Sequence, residues 1–240
     1  MNWKPEERFY RRILSDLSRG GIPFLVAGTY AFMHYIGRKQ ATKDIDILCR
    51  PRDVKRALKV LSQLGHATEL THKHWLAKVY DSRFYADIIF RSSNRKLEIT
   101  NDWFLHSQPA RLLGQEVRVI PPEELIAQKM YVAGRDCFHG HDVYRLLHAL
   151  SLNLDWRRLF KIMRADWQIL YAHLMLFDFV FPKDSRNIPL WLIKELQRRE
   201  TDRVKGSPRL KTEFRGDQLS LVDYASPRQL KALYNHPKKR

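Results

Sequence analysis

The fold of this chain is decided by two stretches of its sequence, Ala27-Gly28-Thr29 and Thr42-Lys43-Asp44-Ile45-Asp46-Ile47. The first closes a short apolar run, residues 24–27, that lies between a proline and a glycine and predicts a buried strand. Gly28 and Thr29 then predict the start of a helix. In the second stretch aspartate alternates with isoleucine, a period of two that predicts another strand. Strand, helix and strand in this order indicate the core of an α/β domain.

The alternation in the second stretch brings two carboxylates together. Side chains of a strand alternate between its faces, so Asp44 and Asp46 should project to one side while the isoleucines enter the core. Two carboxylates so close repel each other unless a cation lies between them, and a hard divalent ion such as Mg²⁺ or Mn²⁺ takes oxygen ligands. Asp87 stands alone in a later apolar run, 84–90, which predicts a further strand. If the strands are neighbours, Asp87 supplies a third oxygen ligand or a base.

The turn at Gly28-Thr29 predicts a place for a phosphate. Glycine lets the backbone approach a phosphate closely, a threonine hydroxyl can donate a hydrogen bond to it, and the N-terminus of the following helix attracts its negative charge. Taken alone, such a turn is more typical of a simple helix cap. Its position before the aspartate-bearing strand makes Gly28 and Thr29 candidate nucleotide-binding residues.

The rest of the chain predicts mainly helices. One predicted helix begins at Pro5 and ends before Gly20-Gly21. Further helices are predicted at 54–64, 121–133, 142–150, 156–164, 167–181, 189–199 and 227–234, and a short strand is predicted at 117–120. Residues 167–181 are apolar nearly all round, which predicts the buried centre of a helical unit. We expect an α/β fold, α+β in stricter usage, with a small mixed sheet flanked by helices and an all-helical C-terminal domain. The expected domains are a core at 1–140, a helical domain at 141–199, and a basic loop, short helix and tail at 200–240.

Composition narrows the class of protein. Lys and Arg number 43 against 26 Asp and Glu, a formal charge of +17, which favours a polyanion such as nucleic acid as a partner. Two cysteines, Cys49 and Cys137, exclude a disulfide framework and fit a reducing compartment. The longest apolar stretch is too short to span a bilayer. We therefore expect a cytoplasmic protein that does not bind membranes.

The order of these parts resembles that of the nucleotidyltransferase superfamily, which has the polymerase-beta-like fold. In that family a strand ends in Gly-Gly or in Gly with Ser or Thr, a helix follows, the next strand carries Asp-x-Asp, and a later strand carries a third carboxylate. The closer resemblance is to the bacterial minimal-type nucleotidyltransferases that include abortive-infection toxins, and to their uncharacterised relatives. Arg38, Thr42 and the run Lys43-Asp44-Ile45-Asp46 carry that resemblance, which covers about residues 20–150.

The resemblance continues at Pro121-Pro122-Glu123-Glu124 and implies further site residues. In the toxin relatives this part of the chain carries a lysine and an acidic residue that line the nucleotide site, which points here to Lys129 and Asp142. Without the family resemblance, the sequence predicts that Lys129 is an exposed lysine at a helix edge. Asp142 is then expected either to orient Lys129 or Arg135, or to cap a helix. The resemblance also implies a nucleoside triphosphate such as ATP as substrate, a tRNA 3′ end as a candidate acceptor, and an antitoxin protein as a candidate partner.

Three other patterns leave alternatives open. Cys137, His139 and His141 alternate, as do His72 and His74, but no second cysteine pair or Glu-x-x-His spacing supports zinc. The aromatic residues of 167–181 favour a core over base stacking. The basic stretch 198–215 predicts either phosphate contacts with RNA or a solvated mobile loop, and both can hold.

The sequence therefore predicts Mg²⁺-dependent transfer of a nucleoside monophosphate from a triphosphate to an acceptor hydroxyl, with RNA as the favoured acceptor. Asp44, Asp46 and Asp87 are the expected catalytic and metal-binding residues. The alternative is a protein without catalysis that binds nucleotide or RNA on the same fold.

Overall fold

The structure is a computed structural model that describes residues 3–206 and 215–224. The chain divides into two compact units, the first comprising Met1–Leu125 and the second beginning at Ile126. The division into domains at 140 and 199 stays a prediction. Within the part of the chain that is described, no helix is long and apolar enough to cross a membrane.

The first unit is a mixed sheet with helices. Its helices are α1 (Pro5–Arg19), α2 (Gly28–Ile36), α3 (Val54–Gln63) and α4 (Asn101–His106), and its strands are β1 (Leu25–Val26), β2 (Asp46–Leu48), β3 (Ala67–His72), β4 (Leu76–Tyr80), β5 (Tyr85–Ile89), β6 (Gln108–Leu112) and β7 (Gln115–Val119). The seven strands lie in the order β3-β4-β5-β2-β1-β7-β6. β2 pairs in parallel with β5, and β1 pairs in parallel with β7, while the other pairs are antiparallel. The expected α/β class is confirmed.

Helix α1 begins and ends where its sequence indicates. Pro5 occupies the first turn, Glu7 completes a capping box with Lys4, and the helix stops at Gly20. Apolar side chains spaced by three and four residues are buried on one face of α1, among them Ile13, Leu14 and Leu17 at 0% exposure.

In the first unit, three strands and one helix were not predicted. β3, with Glu69 and two threonines, has no buried residue, so it lacks the apolar signal of a strand. It forms because it pairs with β4, whose Leu76, Ala77 and Val79 are buried. β6 and the short helix α4 were missed for the same reason, since each carries a single buried side chain.

The two edges of the sheet are the strands β3 and β6. In β3 the pairing register shifts between Glu69 and His72. In β6 the exposed Pro109 has no backbone N–H to donate, and the exposed Arg111 follows two residues later.

The regular elements of the second unit are helices over its described residues, as expected for the C-terminal part. Helix α5 (Pro122–Met130) spans the boundary between the two units in the sequence. The helices that follow it are α6 (Gly140–Leu150), α7 (Trp156–Met163), α8 (Trp167–Val180), α9 (Leu190–Val204) and α10 (Leu221–Tyr224). Helix α8 packs on α6, α7 and α9. Helix α8 is central to this packing, as expected for 167–181, but it is two-sided: Leu170 and Phe177 are buried, whereas Met175 and Phe179 are 55% and 86% exposed.

The expected loop from residue 200 is also wrong in its first part. Helix α9 continues to Val204 because ion pairs support its last turns, Arg203 to Glu200 at 2.6 Å and Arg198 to Asp202 at 2.7 Å. The remainder of that stretch, 207–214, and the helix expected at 227–234 lie outside the described residues.

Candidate functional site

Gly28, at the start of α2, lies directly against the carboxylate of Asp46. Its φ is 55°, and a β-carbon built on it would lie 1.7 Å from Oδ2 of Asp46. The backbone N–H of Ala27 donates to the carbonyl oxygen of Asp46 at 2.9 Å, which holds the turn against β2. Glycine is needed for both the backbone conformation and the close approach. Thr29 follows, half-buried in the first turn of α2, so the predicted helix start is confirmed.

Asp46 and Asp87 are register partners on the neighbouring parallel strands β2 and β5. The N–H of Asp87 donates to the carbonyl oxygen of Ile45 at 3.0 Å. Ile45 and Ile47 are 1% and 0% exposed, whereas both aspartates are only half-buried. Because residues in register point to the same face of a sheet, the two carboxylates share a face. The condition that the sequence left open, adjacency of the two strands, is met.

Asp44 lies just before β2, which begins two residues later than the predicted strand. The hydroxyl of Thr42 donates to the backbone carbonyl of Asp44 at 3.1 Å and contacts Oδ1 at 3.3 Å. The hydroxyl of Tyr85 donates to Oδ2 at 3.4 Å. The hydroxyl of Tyr10, on the buried face of α1, donates to the carbonyl oxygen of Lys43 at 2.9 Å. These bonds hold the segment before β2 in place and orient the Asp44 carboxylate.

Lys78 is a site residue that the sequence reasoning missed. It lies on β4 as the register partner of Asp87, and its Nζ donates to Oδ1 of Asp87 at 2.5 Å. The same ammonium lies 4.0 Å from the ring centroid of Tyr85. The side chains of the pair are 21% and 15% exposed. The signal was present in the sequence: Lys78 is a lone charge in the run Leu76-Ala77-Lys78-Val79-Tyr80, much as Asp87 is in its own strand.

Opposing effects act on the pKa of Asp87. Burial raises the pKa, the hydrogen bond and positive charge of Lys78 lower it, and the negative charge of Asp44 raises it. The result is a pKa above the ordinary value for an aspartate. Burial and the charge of Asp44 also raise the pKa of Tyr10 to about 12, so this phenol stays protonated and keeps its hydrogen bond at neutral pH.

The donor set fits a divalent cation, although the carboxylates do not form a closed cage. Among residues 3–206 and 215–224, no three His, Cys, Asp or Glu side chains are grouped as a ready metal site. Asp44, Asp46 and Asp87 with Lys78 nevertheless carry a formal charge of −2 when all are ionised, which one divalent ion would balance. Their oxygens are also the ligands that a hard ion such as Mg²⁺ prefers.

Lys129 and Asp142 form an ion pair within the second unit. Nζ of Lys129 donates to Oδ2 of Asp142 at 2.6 Å, and the two side chains are 9% and 18% exposed. The interpretation of Lys129 as an exposed lysine is therefore wrong. Asp142 lies in the first turn of α6, after the cap residue His139, so it does not cap the helix. Arg135 was the other basic residue that Asp142 was expected to orient. Its backbone N–H donates to Asp223 instead, at 2.8 Å.

The alternating Cys and His residues lie near this ion pair. Sγ of Cys137 is 3.2 Å from Nε2 of His139. Burial and the charge of Lys129 lower the pKa of His139, and Asp142 acts in the opposite direction. A ring nitrogen of His141, Nδ1, lies 3.8 Å from Oδ1 of Asp142.

Comparison with known proteins gave matches among solved structures alone. No family model and no curated protein matches the chain. The structure is similar to that of the antibiotic-resistance factor ANT(2″)-Ia, with 16% identity and a TM-score of 0.49 over 70% of this chain and 94% of that one. It is also similar to the lincosamide antibiotic adenylyltransferase LnuA, with 17% identity and a TM-score of 0.43 over 61% and 98% of the two chains. A third match is an antigenic nucleotidyltransferase-like protein from Paracoccidioides brasiliensis, with 15% identity and a TM-score of 0.48 over 76% and 92%. Solved nucleotidyltransferases are thus among the structures to which this fold is similar.

Proposed function

We propose that the protein transfers a nucleoside monophosphate from a nucleoside triphosphate to an acceptor hydroxyl and releases pyrophosphate. The observation that carries this proposal is the position of the Asp46 carboxylate, packed against Gly28 at the start of α2 and in register with Asp87. A helix N-terminus that can receive phosphate thereby adjoins the carboxylates that can hold a metal.

Each residue has a distinct role in this proposal. The backbone N–H groups at Gly28 and Thr29 bind the triphosphate, because the first turn of a helix leaves its N–H groups free of helical partners. Asp44, Asp46 and Asp87 would hold Mg²⁺ or Mn²⁺, which when bound neutralises charge on the phosphates and orients them. We include Lys129 and Asp142 as nucleotide-binding residues on the strength of the sequence resemblance.

The chemical step needs a group that accepts the proton of the acceptor hydroxyl. As its oxygen attacks the α-phosphorus, the bond from that phosphorus to the leaving pyrophosphate breaks and the hydroxyl proton must depart. In the alternative in which Asp87 does not bind the metal, it is the candidate base, because its raised pKa makes it a better proton acceptor than an ordinary aspartate. Lys78 holds one of its oxygens, Oδ1, and so orients the carboxylate.

The class of acceptor is proposed from the net charge of the protein. A formal charge of +17 favours RNA, with the 3′ end of a tRNA as one candidate. A protein hydroxyl and a small alcohol are the competing acceptors, and an antitoxin protein is a candidate partner by resemblance.

The test is to incubate the purified protein with each α-labelled nucleoside triphosphate, Mg²⁺ and total cellular RNA or protein. Label should move to one acceptor class and should require the metal. Asp46→Asn should abolish the transfer, while Asp81→Asn, at an exposed aspartate between β4 and β5, serves as the matched control. No incorporation with any of the nucleotides and either acceptor pool would contradict the proposal.

One observation favours the alternative, a binding protein without catalysis. The ammonium of Lys78 already engages one of the three carboxylates, at 2.5 Å. A site that is charge-compensated by lysine could bind nucleotide without metal. Measuring nucleotide affinity with Mg²⁺ and with a chelator separates the two functions, since the enzyme should need the metal and the binding protein should not.

A further inference from the structure

The outer face of α1 carries a row of arginines. Arg8, Arg11, Arg12 and Arg19 line an open groove of about 570 Å³ together with Trp3, Ser15 and Gln115. The spacing of three, four and seven residues along a helix places their side chains on one side, opposite the buried face. None of these described lining residues is acidic.

The guanidinium groups at the start of this groove are positioned by neutral acceptors. Arg8 donates to the carbonyl oxygen of Trp3 at 2.9 Å, Arg11 to that of Leu113 at 3.1 Å, and Arg12 to that of Leu64 at 3.1 Å. A carbonyl oxygen orients a guanidinium without cancelling its charge, and each arginine has five N–H donors, so donors remain for a ligand. Arg11 also lies over the Trp3 ring, 5.8 Å from its centroid.

The far end of the groove is partly compensated. Arg19 pairs with Asp16 at 2.6 Å, and Nε of Arg12 lies 3.7 Å from the same carboxylate. Asp16 is buried and also accepts a contact from Nε2 of His66 at 2.7 Å, so it is shared among three groups. The positive potential is therefore strongest around Arg8 and Arg11.

We propose that this arginine groove binds the phosphodiester backbone of a nucleic-acid strand. Residues 8 to 19 span about 16 Å of helix at about 1.5 Å per residue, a length that can follow successive phosphates of one strand. A guanidinium fork matches phosphate oxygens, and Trp3 offers a ring on which a base can stack. An acidic protein surface is the competing ligand, but it has no such regular charge spacing. The groove does not depend on the proposed transfer reaction, so Asp46→Asn should retain this binding.

The test is a salt titration of binding to a labelled single-stranded RNA of mixed sequence, long enough to cover the groove. The variant Arg8→Gln/Arg11→Gln/Arg12→Gln is compared with Lys55→Gln/Lys59→Gln/Lys73→Gln, which removes the same charge from exposed positions on α3 and after β3. The groove variant should bind at least about tenfold more weakly, and the slope of log affinity against log salt should fall by about 2, at about 0.7 per lost phosphate contact. The lysine variant should stay close to the unmodified protein. Equal losses in both variants, or no loss in the groove variant, would overturn the proposal.

Two further measurements distinguish loss of phosphate contacts from misfolding of the groove variant. Arg8→Lys/Arg11→Lys/Arg12→Lys keeps the charge and should keep the salt slope, since backbone binding depends on charge. In the unmodified protein, ultraviolet cross-linking to the RNA followed by peptide mapping should label the peptide around Trp3. Cross-links confined to other peptides, or displacement of the RNA by an acidic peptide in preference to a second RNA, would contradict the assignment.

Discussion

The carboxylate of Asp46 occupies the space that a side chain at position 28 would need, since a β-carbon on Gly28 would lie 1.7 Å from Oδ2 of Asp46. The contact links the loop before α2 to the strand β2, and it makes the two positions mutually dependent.

Gly28→Ala should therefore be more damaging than an ordinary glycine substitution. The strain of a positive φ costs about 1–2 kcal/mol, and the clash with Asp46 adds to it by displacing the carboxylate. Gly37→Ala is the matched control, because Gly37 has a φ of 65° and nothing within 4 Å of its β-carbon position. Thermal unfolding of both variants should show a larger loss for Gly28→Ala, together with loss of transfer. Equal losses would mean that the contact with Asp46 has no energetic role.

Asp46→Asn should remove nucleotidyl transfer and leave the fold intact. The substitution keeps the shape of the side chain, removes a charge needed for a divalent ion, and relieves repulsion with Asp44 and Asp87. The free energy of unfolding should stay constant or rise slightly. Turnover near that of the unmodified protein would rule out the metal role of Asp46.

The ion pair of Lys78 and Asp87 should show strong coupling in a double-mutant cycle. Lys78→Met and Asp87→Asn should each lower the free energy of unfolding by about 1–3 kcal/mol, because each leaves a partly buried polar partner uncompensated. The double variant should lose less than the sum of the two. Urea denaturation of the four proteins gives the coupling, and additive losses would indicate that the contact contributes nothing.

Lys129→Ala should weaken binding of the triphosphate and slow transfer by one to two orders of magnitude, about 1.4–3 kcal/mol. Lys129→Arg should restore part of the loss, since a guanidinium does not reproduce the position of an ammonium. Asp142→Asn should also impair binding, because Asp142 orients the lysine at 2.6 Å. The measurement is KM for the triphosphate and kcat, determined side by side for the three variants. Values equal to those of the unmodified protein in all three would contradict this role.

Stability of the second unit should fall as the pH drops below neutral. Burial lowers the pKa of His173, whose Nε2 contacts the carbonyl oxygen of Met130 at 3.3 Å. A histidine with a depressed pKa binds its proton more readily in the unfolded chain, so its stabilising effect is complete above about pH 6.5 and is lost below it. His139, in the same unit, shifts in the same direction, so His173→Gln should reduce this pH dependence without removing it. Melting temperatures measured across that range test the point, and an unchanged slope in His173→Gln would contradict it.

The core of the site was predictable because it is encoded locally. The positions of Asp44, Asp46 and the turn at Gly28 follow from a period of two and a glycine before a helix. The pairing of β2 with β5 was not predictable, because strand adjacency depends on contacts between residues far apart in the sequence. The role of Asp87 could therefore be predicted only on the condition that the two strands are neighbours. Lys78 was missed because β4 was not predicted as a strand, although its apolar run around a single charge is like that of β5, with which it pairs directly. The extension of α9 was missed because its last turns are stabilised by charge pairs rather than by an apolar face.

The edges of the sheet have a consequence for how copies of this protein can meet. An uninterrupted edge strand exposes a row of backbone donors and acceptors to which another chain can add. Here the register shift in β3 breaks that row at one edge, and Pro109 with Arg111 interrupts it at the other. Self-association by continuing the sheet from one molecule into the next is therefore opposed at both ends, so this unit should resist fibre growth at concentrations at which an open β-edge would aggregate.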